Sequence, residues 1–172
     1  PTDPVLKSVG MTSGVGARLI ASLPIIFAAL MISLAIAGVF AHVSPVLFWD
    51  AWEALAFWLR GSPATDWWAL HNEHRIVLGR LLFWFDFKWF GGRTWFLFTM
   101  NLVFAGVAAV VFSRAAMSVP WSRRGSPART EAIALSSVMV SLCFLWSQGD
   151  NFGQAFQGVF FLGQLLPLQI GR

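Results

Sequence analysis

The chain has 172 residues, of which 57% are hydrophobic and 12% charged, with a mean hydropathy of +0.67. A soluble globular domain carries about a quarter charged residues, so an ordinary soluble domain is excluded and an all-α polytopic transmembrane helical bundle is expected. The net charge of +4 is not gathered on a basic face of the kind nucleic acid requires; membrane lipid, not nucleic acid, is the expected partner.

Residues 1–18 are polar, contain Gly and Ser and carry Lys7, which describes a cytoplasmic tail. Residues 19–41 are then free of charge, and about 23 residues at 1.5 Å each cross a hydrocarbon layer of roughly 30 Å. A cleaved signal peptide ending at Val39-Phe40-Ala41 is the rival reading, but its apolar core would be only about 7–15 residues long. A first, uncleaved span is therefore expected.

In residues 42–94, Asp50, Glu53, Asp66, Glu73 and Asp86 are matched by Arg60, Arg75, Arg80, Lys88 and Arg93, and this nearly neutral loop is expected to hold interfacial helices. Over Val46 to Leu59, Asp50 and Glu53 lie three apart among aromatic and aliphatic neighbours, so both carboxylates share one face of a helix lying along the membrane surface. Gly61-Ser62-Pro63 breaks that helix. Thr65 or Asp66 is placed to cap a second helix, expected from Trp67 to about Phe90. If continuous, it aligns His71, Arg75, Gly79, Leu82 and Asp86 on one stripe. Arg80, Asp86 and Lys88 make 76–90 a poor span, since each central charge costs about 2.5–3.5 kcal/mol. It reads as interfacial or re-entrant, with Trp84, Trp89 and Trp95 at headgroup depth.

Gly91-Gly92 ends that helix and a second span is expected over 95–112. The next loop, 113–130, carries Arg114, Arg123, Arg124 and Arg129, and short arginine-rich loops stay in the cytoplasm. Two spans then place 42–94 on the outer side, with the N-terminus cytoplasmic. A third span is expected at 132–147, where Ser136, Ser137 and Ser141 suit close helix packing. A fourth is expected at 157–172, with Pro167 inside it. Cys143, the single cysteine, lies in an apolar run, so neither a disulfide framework nor a cysteine zinc site is available. The start at Pro1 and the stop at Arg172 in or just beyond an apolar run lead us to expect a piece of a longer multi-pass protein.

Three polar groups thus fall on one side. Asp50 and Glu53 are candidates for a general base or, for Asp50, a contact to a hard divalent cation, both of which use carboxylate oxygens; the plain alternative is the polar face of a surface helix. His71, Glu73, His74 and Arg75 form a dense ionisable cluster. Its His-x-Glu-His order is not the spacing that puts two imidazoles on one helical face, so anion recognition fits better. Arg75 offers a fork of donors and histidine donates a proton near neutral pH. Arg80 and Asp86 are candidates to hold that cluster, paired as Arg80–Asp86 or Arg75–Asp86. Asp150, with Asn151, Gln154 and Gln157, is either a third contributor or a helix cap.

His71-Asn72-Glu73-His74-Arg75-Ile76, followed by Gly79-Arg80-Leu81-Leu82, Asp86 and Phe90-Gly91-Gly92, resembles the first external loop of a group of bacterial multipass membrane proteins. The block from Gln148 to Gln157 resembles their next external segment, with Asp150 where Glu is expected. In layout these proteins are similar to membrane glycosyltransferases of the GT-C type, which take a sugar from a polyprenyl phosphate carrier. The resemblance implies an inner-membrane, multi-pass protein in which Asp50 acts as base or metal contact and Arg75 meets the carrier phosphate. A transporter or flippase subunit for an anionic solute, and a membrane assembly protein without a ligand, are the alternatives.

Overall fold

The computed structural model of the chain describes residues 4–44, 46–47, 51–61, 67–70, 76–118 and 128–145, with side chains described from 22 onward in the first helix and from 130 onward in the last. Among them the fold is all-helical. Five helices follow one another: α1 (Pro4–His42), α2 (Ala51–Leu59), α3 (Val77–Phe90), α4 (Trp95–Ser118) and α5 (Ala128–Cys143).

Two segments, Ser22–His42 and Trp95–Ser118, are long and apolar enough to cross a membrane. In a soluble protein such helices form the core and are covered. Here only 22% and 33% of their apolar windows are buried, and Leu23, Ile26, Leu30, Leu34 and Phe40 of α1 are all exposed. A helix that is apolar all round yet open on most of its surface suits lipid better than water. α1 begins well before its apolar part and runs 39 residues, about 58 Å at 1.5 Å per residue. The polar stretch expected as a tail is therefore helical from Pro4 onward.

The face of α1 that does pack is narrow. Ala28, Met31, Ala35 and Val39 are buried at steps of three and four, which is one helical stripe. Ala35, Ala105 and Ala109 meet in one cluster with Met31, Val39, Phe98 and Phe144. The small side chains let α1, α4 and α5 approach closely, as helix pairs in lipid require. α5 packs on both α4 and α1. Its Ser136 hydroxyl reaches the Ser113 carbonyl of α4 at 3.4 Å, while Ser137 and Ser141 are buried and bond back to Ile133 and Ser137.

α2 and α3 make a second cluster, in which Ala51, Phe83, Phe87 and Leu97 are buried together. Leu97 belongs to the first turn of α4, so this layer sits at the end of the bundle where α1 finishes and α4 begins. Phe40 and Trp95 touch there at 5.6 Å between ring centroids. α2 stops at Leu59, and Gly61 takes a positive φ of 59°, consistent with the break expected at Gly61-Ser62-Pro63. The second helix of the loop is shorter than expected: Trp67 and Trp68 form a single tight turn, and α3 starts only at Val77. The reason lies in Arg80, whose Nη1 donates to the carbonyls of Trp67 at 2.9 Å and Ala69 at 2.7 Å. A continuous helix would hold Ala69 and Arg80 about 16 Å apart along its axis, beyond the reach of an arginine.

Candidate functional site

The junction between α3 and α4 is the most constrained part of the layer. Gly91 lies in the left-handed region and closes α3, and the Gly92 amide returns to the Asp86 carbonyl at 3.1 Å, the pairing of a glycine-terminated helix. Gly91, Gly92 and Thr94 all have positive φ. For threonine, which is β-branched, that conformation is a true outlier, costing on the order of 1–3 kcal/mol. Tertiary bonds hold it. The Thr94 amide donates to Asp86 Oδ2 at 3.2 Å. The Thr94 hydroxyl lies 2.9 Å from the Ser44 carbonyl and 2.6 Å from that of Arg93, its single proton serving one at a time. Ser44 follows α1, so Thr94 ties the ends of the two long apolar helices to α3.

Asp86 is 0% exposed. Its Oδ1 has no hydrogen-bond partner among the described residues. Loss of hydration pushes its carboxyl above the ordinary 3.8, and the bond from the Thr94 amide opposes this only in part. The expected Arg80–Asp86 pair is not formed: Arg80 spends its guanidinium on the carbonyls of Trp67 and Ala69 and rests over the Phe57 ring at 5.3 Å. Asp86 is thus a buried acceptor for the α3–α4 turn.

Of the candidate site residues, Glu53 lies on the first turn of α2 and is exposed. Asp50, His71, Glu73, His74, Arg75 and Asp150 lie outside the described residues, as does the expected fourth span. What the structure does show is how the neighbouring chain is held. Ala51, the residue after Asp50, is buried in the cluster with Phe83, Phe87 and Leu97. Before His71, Trp67 and Ala69 are held by Arg80; after Arg75, Ile76 is buried. Of the stripe expected along the second helix, Gly79, Leu82 and Asp86 fall on α3, where Gly79 and Asp86 are buried. No group of three or more potential metal ligands occurs among the described residues.

Beside this frame lies an open cleft of about 520 Å³, lined by Val46, Leu47, Trp52, Leu55, Trp58, Phe87, Gly91 and Gly92. Its walls are apolar and aromatic, suited to a hydrocarbon chain rather than to a polar solute. No family model, curated protein or solved structure matches this chain. The reading of the site therefore rests on its residues and their placement. Sequence reasoning missed Thr94, because nothing local marks a threonine for a left-handed backbone, and it missed Arg80 as the residue that folds Trp67 and Ala69 onto α3.

Proposed function

We propose that the chain is the membrane domain of a multi-pass inner-membrane protein, a polytopic helical bundle that transfers a sugar from a lipid-phosphate carrier at its extracytoplasmic face. The observation that carries this reading is the apolar cleft in the α2–α3 layer, at the end of two helices long and apolar enough to cross a membrane. A lipid-linked donor needs a berth for hydrocarbon close to polar groups that handle its phosphate. Glu53 on α2 is such a group in this layer. In the sequence, Asp50 directly precedes buried Ala51, and the stretch from His71 to Arg75 runs between the segment whose Ala69 is bound by Arg80 and buried Ile76.

The chemistry asks for two roles. Asp50, aided by Glu53, takes the proton from an acceptor hydroxyl as its oxygen attacks the anomeric carbon. The bond from that carbon to the carrier phosphate breaks, the electron pair leaving with the phosphate, and Arg75 with His71 or His74 neutralises the charge that develops. Glu73 and Asp150 are assigned to binding the sugar, whose hydroxyls donate to carboxylate oxygens. Asp50 is also our candidate for the contact to a divalent cation, should the reaction use one.

Sugar transfer by the protein in proteoliposomes supplied with a polyprenyl-phosphate sugar is expected in the wild type and absent in Asp50→Asn. Full activity in the variant removes Asp50 as the base. Movement of the carrier or a solute across the sealed membrane with no new covalent bond replaces transfer with transport. Among the described residues the buried polar groups within α4 and α5 are Asn101, Ser137 and Ser141, none of them ionisable, which favours chemistry at the rim over a charged path through the bundle.

A further inference from the structure

α3 carries two apolar faces, and the described residues cover only one. Gly79, Phe83, Asp86 and Phe87 are buried and fall within an arc of about 100°. Leu78, Leu81, Phe85 and Trp89 are exposed; steps of three, four and four put them within about 80° on the roughly opposite side. Trp89 is 66% exposed, a costly position for an indole in water. Such a stripe on a helix already packed by its other side calls for a second apolar medium.

The flank of the stripe is cationic. The Lys88 ammonium lies 4.4 Å from the centre of the Trp84 ring and 5.4 Å from that of Trp89, so two indoles hold the charge at the edge of the apolar face. Arg93, itself exposed, follows in the turn to α4. The acidic residue of α3, Asp86, is wholly buried and sets no negative charge against an approaching anion. The apolar face is also continuous with the lipid-crossing part: Phe85 and Phe90 contact Phe96 of α4 at 6.4 Å and 4.9 Å.

We propose that α3 is a membrane-lying anchor, with Leu78, Leu81, Phe85 and Trp89 sunk into the headgroup–acyl boundary of an anionic phospholipid bilayer and Lys88 set against a lipid phosphate. This rests on the reading of α1 and α4 as spans. It assigns α3 a partner, the bilayer itself, that the sugar-transfer reading does not require. It also fixes which way the layer tilts: the outer face of α3 meets lipid, and the side packed on α2 meets the cleft.

The test uses the protein with Cys143→Ser, reconstituted in vesicles of phosphatidylcholine and phosphatidylglycerol. Single spin labels are placed at Phe85→Cys, Val107→Cys and Glu53→Cys, and their collision rates with oxygen and a water-soluble nickel chelate are compared. The expected order is Val107 deepest, Phe85 shallower but still favouring oxygen, and Glu53 favouring nickel. Phe85 as open to nickel as Glu53, with Val107 in lipid, overturns the anchor and leaves the spans intact. Val107 open to nickel overturns the membrane reading itself. Spin-labelled phosphatidylglycerol is expected to associate in preference to phosphatidylcholine, with that preference reduced in Lys88→Gln; an unchanged preference overturns the headgroup contact.

Discussion

The Thr94 amide donates to Oδ2 of fully buried Asp86 at 3.2 Å, across the turn joining α3 to α4. Through the Thr94 hydroxyl the same node reaches the Ser44 carbonyl beyond α1. One carboxylate thereby holds three helices at the rim, with its charge state at stake.

Burial raises the Asp86 pKa above that of the unfolded chain. An acid whose folded pKa is raised contributes stability that is fully present below the unfolded value and lost as pH rises through the folded one. Thermal unfolding in detergent should therefore show wild type losing stability relative to Asp86→Asn as pH rises above about 4, because the amide keeps an acceptor for Thr94 without the charge. Asp86→Ala should cost about 1–3 kcal/mol at any pH, leaving the Thr94 amide unanswered. A constant gap between wild type and the asparagine variant from pH 4 to 9 would show that Asp86 is not held this way.

Gly91 and Gly92 share a φ of 68° but differ in their surroundings. A Cβ at Gly91 meets nothing within 4 Å, whereas one at Gly92 would sit 2.8 Å from Cδ1 of Phe87. Gly91→Ala should then cost only the backbone term, about 1–2 kcal/mol. Gly92→Ala should cost more, since Phe87 is buried in the cluster with Ala51 and Leu97 and has to shift. Denaturant titration of both variants checks the order, and equal losses would contradict it.

Arg80→Ala should release Trp67 and Ala69 from α3. Hydrogen exchange at residues 67–70 is expected to speed up while that of α4 stays unchanged. Arg80→Lys should restore little, because an ammonium on a shorter stem has no planar head to lie over Phe57. Unaltered exchange at 67–70 in Arg80→Ala would mean that the two carbonyl bonds do not hold the segment.

Much of this fold was legible in the chain. The uninterrupted apolar run before His42 and the one after Trp95 announce long helices, and Gly91-Gly92 announces the end of α3. The start of α3 was not legible. No glycine or proline interrupts Trp67 to Leu78, and only the return of Arg80 to the carbonyls of Trp67 and Ala69, a contact across 13 and 11 positions, marks the break there. The Asp86–Thr94 pair was hidden for a similar reason. A stripe of helical spacing shows that Asp86 points with Gly79 and Leu82, yet not whether a cation or a turn amide meets it. For the candidate site, Glu53 is exposed on α2, but the helix read from Val46 to Leu59 starts only at Ala51, with Val46 and Leu47 outside it. The other acidic and basic candidates lie outside the described residues.

The central claim is that the α2–α3 layer sits outside the cytoplasm, at the rim of two membrane-crossing helices. Single cysteines at Glu53 and at Arg123, in the Cys143→Ser background, report it directly when intact cells with a permeable outer layer are treated with a membrane-impermeant maleimide. The account predicts labelling of Glu53→Cys at once and of Arg123→Cys only after the inner membrane is opened. Labelling of Arg123→Cys in intact cells, with Glu53→Cys protected, would contradict it.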